Sequence, residues 1–143
     1  MGVTIKQWAW WLPLTYLLHI AEESWGGFPE WLSRMGVPFS QRELLILNGI
    51  GLVAMVVAVS LPWRWVITTL AGIVFLNGLL HATITLVTRT YSPGLATGVL
   101  LWIPLGLYIL IHEWRKAPGR TFAYGLIGIV AFHIIATLVV MEL

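Results

Sequence analysis

From Leu44 to His112 the chain carries formal charge only at Arg64 and Arg89. Uncharged stretches this long approach the ~20 residues with which a helix crosses a bilayer core of about 30 Å. Lipid offers no partner to a bare peptide group, so such stretches must satisfy their hydrogen bonds internally, as helices. Across all 143 residues, 59% are hydrophobic and 10% charged, against roughly 25% charged in a soluble domain. The fold class that follows is an all-α, polytopic transmembrane bundle of about five spans with one short interfacial helix. Nothing is left over for a soluble domain, so residues 1–143 read as a single integral membrane domain.

Proline, glycine and capping residues divide the chain. The spans are predicted over 5–21, 43–61, 63–87, 93–112 and 121–141. Trp8, Trp10 and Trp11 suit an interface at the start of the first, and Pro13 is expected to kink it. Gly26 and Gly27 stop that helix, Pro29 opens the short amphipathic helix PEWLSRM, and Gly36 with Pro38 closes it. This helix is expected to lie flat on the membrane surface as a partial lid. Ser40 and Glu43 form a capping box, Pro62 forces a turn, and Ser92 and Thr121 are expected to cap the last two spans, with Pro93 as a first helical residue. Gly49, Gly51, Gly72, Gly78, Gly125 and Gly128 are expected to allow close helix packing. Five spans put Lys6, Arg64, Arg115, Lys116 and Arg120 on the side of the N-terminus and Arg34, Arg42 and Arg89 on the other, which predicts a cytoplasmic N-terminus.

The chain has no cysteine, which removes disulfides, thiolate metal sites and cysteine nucleophiles. Its net charge of +2 is scattered, and nucleic-acid binding needs a clustered basic face. The tryptophans opening the first apolar stretch, and the acidic residues where a small-residue cleavage site would stand, argue against a cleaved signal peptide.

Against this background the stretch HIAEE, His19 to Glu23, is costly. On a helix His19, Glu22 and Glu23 share one face, and ionisable groups at membrane depth mark functional sites. Counting 1.5 Å per residue from each helix exit puts His19, Asn48, Asn77, His81, Tyr91, Thr97 and His133 in the same half of the bilayer, with His112 opposite. Imidazoles and carboxylates from separate helices are a ligand set for zinc, iron or manganese. The expected ligands are His19, His81 and one of Glu22 or Glu23, with His133 as a further candidate. The remaining carboxylate would act as general base. Asn77 would orient an imidazole, polarise a carbonyl or hold a water, and Tyr91 would donate to a developing oxyanion. The plainer alternatives are glutamates solvated at an interface, and histidine or asparagine bonding helix to helix.

Three stretches then carry a resemblance. HIAEE (His19–Glu23), NGLLH (Asn77–His81) and YSPGLAT (Tyr91–Thr97) resemble the H-x-x-E-E, N-x-x-x-H and Y-x-P-G-x-x-T motifs of the HXXEE-domain family, small and mostly bacterial integral membrane proteins. The resemblance implies a bacterial cytoplasmic membrane location. It also implies an active site at His19, Glu22, Glu23, Asn77, His81, Tyr91, Pro93, Gly94 and Thr97. It supplies no substrate. The expected function is a membrane-embedded, metal-dependent enzyme hydrolysing a membrane lipid or another apolar small molecule. The alternatives are a proton- or cation-coupled transporter or channel, which at this size would need to be a homo-oligomer, and an accessory protein binding a lipid or cofactor.

Overall fold

A computed structural model describes residues 5–142, with side chains over 7–135. The elements are α1 (Ile5–Ala9), α2 (Trp11–Gly26), α3 (Phe28–Arg34), α4 (Gln41–Ser60), α5 (Arg64–Thr88), α6 (Leu95–Thr97), α7 (Ile103–Lys116) and α8 (Arg120–Glu142). A π-helical turn, Gly98–Trp102, joins α6 to α7, so that Leu95–Lys116 runs as one helix. No strand occurs among the described residues.

Among the described residues three helices are long and apolar enough to cross a membrane, namely α4, α5 and Leu95–Lys116, where five were expected. The first predicted span is broken rather than kinked. Pro13 has no N–H for the carbonyl of Ala9 and its ring collides with that carbonyl, so α1 stops at Ala9 and α2 restarts at Trp11. α2 has only 16 residues and carries both glutamates of HIAEE. In the fifth predicted span, the described apolar portion, Arg120–Ile135, falls short of a crossing length; the side chains of 136–141 lie outside the described residues.

Local chemistry sets the other boundaries. Gly27, at φ 74°, ends α2 in the left-handed region that favours glycine, and α3 begins directly after it with Pro29 in its first turn. The capping box forms as expected: the Glu43 amide donates to the Ser40 hydroxyl at 3.2 Å, and the Ser40 amide donates to the Glu43 carboxylate at 2.7 Å. Two expected caps do not form. Ser92 turns its side chain inward and Gly94 precedes α6 instead, while α8 starts at Arg120, leaving Thr121 inside its first turn.

α5 is the axis of the bundle. The Leu95–Lys116 helix packs antiparallel to it, with Gly98 against Gly78 and Gly106 against Ala71 and Phe75. A Cβ on Gly78 would stand 2.7 Å from the Gly98 carbonyl oxygen, so the backbones meet where only hydrogen fits. α8 packs parallel to α5: Gly125 lies on Thr68, Gly128 on Thr69 and Ile129 on Gly72, and the Thr69 hydroxyl donates to the Gly125 carbonyl at 3.1 Å. Gly51 admits the Tyr16 hydroxyl, whereas Gly49 faces open space. The core is Ala9, Leu12, Met55, Val59, Ile67, Ala71, Val74, Trp102 and Ile109. Outward faces carry Ile46, Ile50, Val53, Val57, Leu80 and Leu100, all exposed, as suits helices surrounded by lipid.

Candidate metal centre

α2 and α5 deliver the ligands. His19 and Glu23 are one turn apart on α2, and His81 comes from the last third of α5. All three are buried, at 1%, 5% and 4% exposure. Glu23 Oε1 lies 3.4 Å from His19 Nε2 and 3.5 Å from His81 Nε2, and the three atoms fall within 4.8 Å of one another. The imidazoles meet edge to face with ring centres 5.1 Å apart.

Those two separations are long for a hydrogen bond, whose usual range is about 2.7–3.2 Å. They match the edge of a tetrahedron with arms of about 2.0–2.2 Å, roughly 3.3–3.6 Å, the spacing of ligand atoms around a four-coordinate zinc ion. His19 Nε2 is buried without a hydrogen-bond partner. A carboxylate oxygen between two imidazole nitrogens, with no fixed cation beside it, is a receptor for a positive ion.

The far nitrogens of the two rings are held by hydroxyls, His19 Nδ1 by Thr97 Oγ1 at 2.7 Å and His81 Nδ1 by Ser92 Oγ at 2.9 Å. Such bonds fix ring orientation and raise ligand basicity at metal sites. The Ser92 amide donates to Thr85 Oγ1 at 3.1 Å, pinning the loop one turn beyond His81. The indole of Trp102 stacks on His19 with ring centres 3.8 Å apart, and the Phe28 ring of α3 stands 5.9 Å from His81. The first residue of α3 thus stands beside the cluster.

Glu22 does something different from its neighbour. Its Oε1 accepts from the Tyr91 hydroxyl and from the amides of Gly94 and Ala96, at 3.1 and 2.9 Å for the amides. Its Oε2 accepts from the Thr97 amide at 2.7 Å and the Thr97 hydroxyl at 2.6 Å. A carboxylate collecting the free amides of a helix start also gains from the helix dipole. Burial would push its pKa up, but the hydrogen bonds from Thr97, Tyr91 and Ala96 override that and hold it at about 2. Partial burial, then the bond to the Glu22 anion, raises the Tyr91 phenol above its ordinary value.

The third motif therefore reads as a docking loop. Pro93 packs on Gly26, where a Cβ would stand 2.8 Å from the proline Cβ. Gly94, at φ 101°, presses its backbone on the imidazoles, and a Cβ there would lie 2.7 Å from His81 Cε1 and 2.8 Å from His19 Cε1. Tyr91, expected to point at the reacting atoms, is 54% exposed and spends its hydroxyl on Glu22.

The structure thus brings His19, Glu23 and His81 together, with Glu22, Tyr91, Pro93, Gly94 and Thr97 around them. Asn77 sits one turn from His81 with its Oδ1 buried and unpartnered. His133 is outside the ligand group, and its Nδ1–H donates to the Ile129 carbonyl of its own helix at 2.8 Å. It rides on α8, which packs along α5 through Gly125, Gly128 and Ile129. Asn48 accepts from the Tyr16 hydroxyl at 2.7 Å, bonding α4 to α2. Sequence reasoning missed Trp102, whose tryptophan was one of nine, and it assigned Ser92 to a cap. The seven-residue spacing of Thr85 and Ser92 across a turn gives no periodic signal.

A family model described as "Protein of unknown function with HXXEE motif" matches residues 10–109. No curated protein and no solved structure matches the chain.

Proposed function

This chain belongs to the HXXEE family, and on that premise we propose that it is a membrane-embedded metal-dependent hydrolase acting on a lipid or another apolar substrate. His19 Nε2, Glu23 Oε1 and His81 Nε2 would hold one divalent ion, zinc or else iron or manganese. The carrying observation is the pair of 3.4 and 3.5 Å separations about a single buried carboxylate oxygen. Two histidines and a glutamate with a fourth position open is a ligand set of hydrolytic zinc sites, where the ion activates water and polarises a carbonyl. Glu22 is tied up by its five donors, so no carboxylate is left over as a separate base, and the proton of the activated water would go to Glu23 Oε2, the oxygen not assigned to the ion. Asn77 Oδ1, unpartnered one turn from His81, would bind a donor on the substrate.

The apolar outer faces of α4, α5 and Leu95–Lys116 support a bilayer setting. The test is metal analysis of the protein purified in detergent. Bound zinc, iron or manganese is expected in the wild type and absent from His81→Ala. A wild type free of all three after loading with each would remove the metal. Turnover of a fluorogenic lipid ester, lost in Glu23→Gln, is the expected sign of hydrolysis; a loaded protein without turnover on esters or amides would reduce the site to a binding one.

A further inference from the structure

We propose, building on the metal reading above, that Glu22 and Thr97 are positioning residues that set the tautomer of His19, keeping its proton on Nδ1 so that Nε2 faces the ion with a bare lone pair. The Thr97 hydroxyl has one proton and two close neighbours, Glu22 Oε2 at 2.6 Å and His19 Nδ1 at 2.7 Å. An ionised carboxylate can only accept. The hydroxyl therefore donates to Glu22 and accepts from His19, which places the proton on Nδ1. A neutral imidazole has a single N–H, and Nε2 is left without one.

The surroundings agree with this assignment. His19 Nε2 makes no hydrogen bond of ordinary length, its nearest polar neighbour being Glu23 Oε1 at 3.4 Å. The Gly94 carbonyl also lies near the Thr97 hydroxyl, but at 3.4 Å it competes poorly with a charged oxygen at 2.6 Å. His81 offers an internal contrast. Its Nδ1 meets the Ser92 hydroxyl at 2.9 Å with no carboxylate behind it, so that hydroxyl is free to donate or accept. One imidazole is locked and the other is adjustable.

Glu22→Gln makes the direction of the effect specific. Oε1 faces three donors and Oε2 two, the Thr97 amide and hydroxyl, so the glutamine carbonyl takes the Oε1 side and its NH2 turns to the Thr97 hydroxyl, which can reverse its role. That hydroxyl, now accepting from the glutamine, aims its proton at His19 Nδ1 and drives the ring to the opposite tautomer. Thr97→Val removes the hydroxyl, and Thr97→Ser restores it.

The experiment is nitrogen-15 NMR of the full chain, labelled at histidine, in detergent, metal-free and at a pH where the imidazoles are neutral. The chain has four histidines, and His112→Asn and His133→Asn separate their signals from those of the site. Expected are an Nδ1–H His19 in the wild type and in Thr97→Ser, and an Nε2–H His19 in Glu22→Gln and Thr97→Val. Zinc affinity should fall about 10–100-fold in Thr97→Val, the usual effect of losing a partner behind a ligand, and recover in Thr97→Ser. An Nε2–H His19 in the wild type overturns the proposal, as does a Thr97→Val protein that keeps Nδ1–H. The wild-type reading requires no substitution, so misfolding of a variant does not remove the test. A wild type that takes up no zinc yet shows the Nδ1–H form, shifted by Thr97→Val, would sink the metal reading and support this one.

Discussion

Two buried glutamates stand near opposite ends of the bundle, and they are neutralised in different ways. Glu113, 1% exposed, is gripped by Arg64, whose Nε and Nη2 donate to its two oxygens at 3.0 and 3.1 Å. The guanidinium is permanently charged and its fork matches the carboxylate, so that site is closed. Glu23 is buried almost as deeply and has only imidazole nitrogens, at 3.4 and 3.5 Å. Glu113 receives its positive charge from a permanently charged side chain, whereas Glu23 has beside it two imidazoles, which carry charge only when protonated. The first arrangement ties α5 to α7; the second is open to a ligand.

Exchanging the two carboxylates for amides tests the contrast most directly. Glu23→Gln should take the protein from metal-loaded to metal-free by elemental analysis, while Glu113→Gln should leave the metal in place. Next in size is the fixed pair. Arg64→Met strands a buried carboxylate and should cost about 3 kcal/mol, the low end for breaking a buried pair, because the Arg64 side chain is 38% exposed; denaturant unfolding in detergent reads it. Free zinc at 100 times its dissociation constant should add about 2.7 kcal/mol to the wild type and to Arg64→Met, and nothing to Glu23→Gln. Thermal melts with and without zinc distinguish these.

The smallest effect concerns Glu22. Tyr91→Phe removes one of its hydrogen bonds and should cost at most about 1 kcal/mol, since the phenol is largely exposed. The carboxyl is held at about 2, below its ordinary 4.5. A lowered pKa contributes stability above the ordinary value and loses it on the way down to the folded value. The difference between Tyr91→Phe and wild type should therefore be full at neutral pH and fade between pH 4.5 and 2, as followed by melts across that range.

What was legible in the sequence is the convergence. His19, Glu22 and Glu23 were placed on one helical face, and His81 was brought to the same level by counting residues along a helix. Both inferences rest on the fixed rise and period of the α-helix. Which glutamate faces the imidazoles was not legible, because residues 22 and 23 differ by about 100° on the helix and the choice is made by the loop that docks on one of them. Tyr91 and Ser92 were assigned roles from their chemistry alone, and their partners, Glu22 and His81, lie across a turn whose path no periodicity encodes. His133 was placed by depth, which ignores the face a helix presents; α8 packs on α5 through Gly125, Gly128 and Ile129, and that seam decides where the imidazole goes. The first span was expected unbroken because hydropathy is blind to Pro13, which divides that stretch into α1 and α2.

The π-turn at Gly98–Trp102 settles how one imidazole can be served twice by the same helix. On a regular α-helix, residues five apart diverge by about 140° around the axis, so Thr97 and Trp102 would look in different directions. Widening the coil to an i to i+5 repeat stacks them, and the threonine reaches the edge of the His19 ring while the indole covers its face. Tightening the bulge to an ordinary pitch with the same number of residues would restore that divergence of about 140° and swing one of the two off the ring, so the spacing of this bulge acts as a phase adjustment tuned to a single side chain.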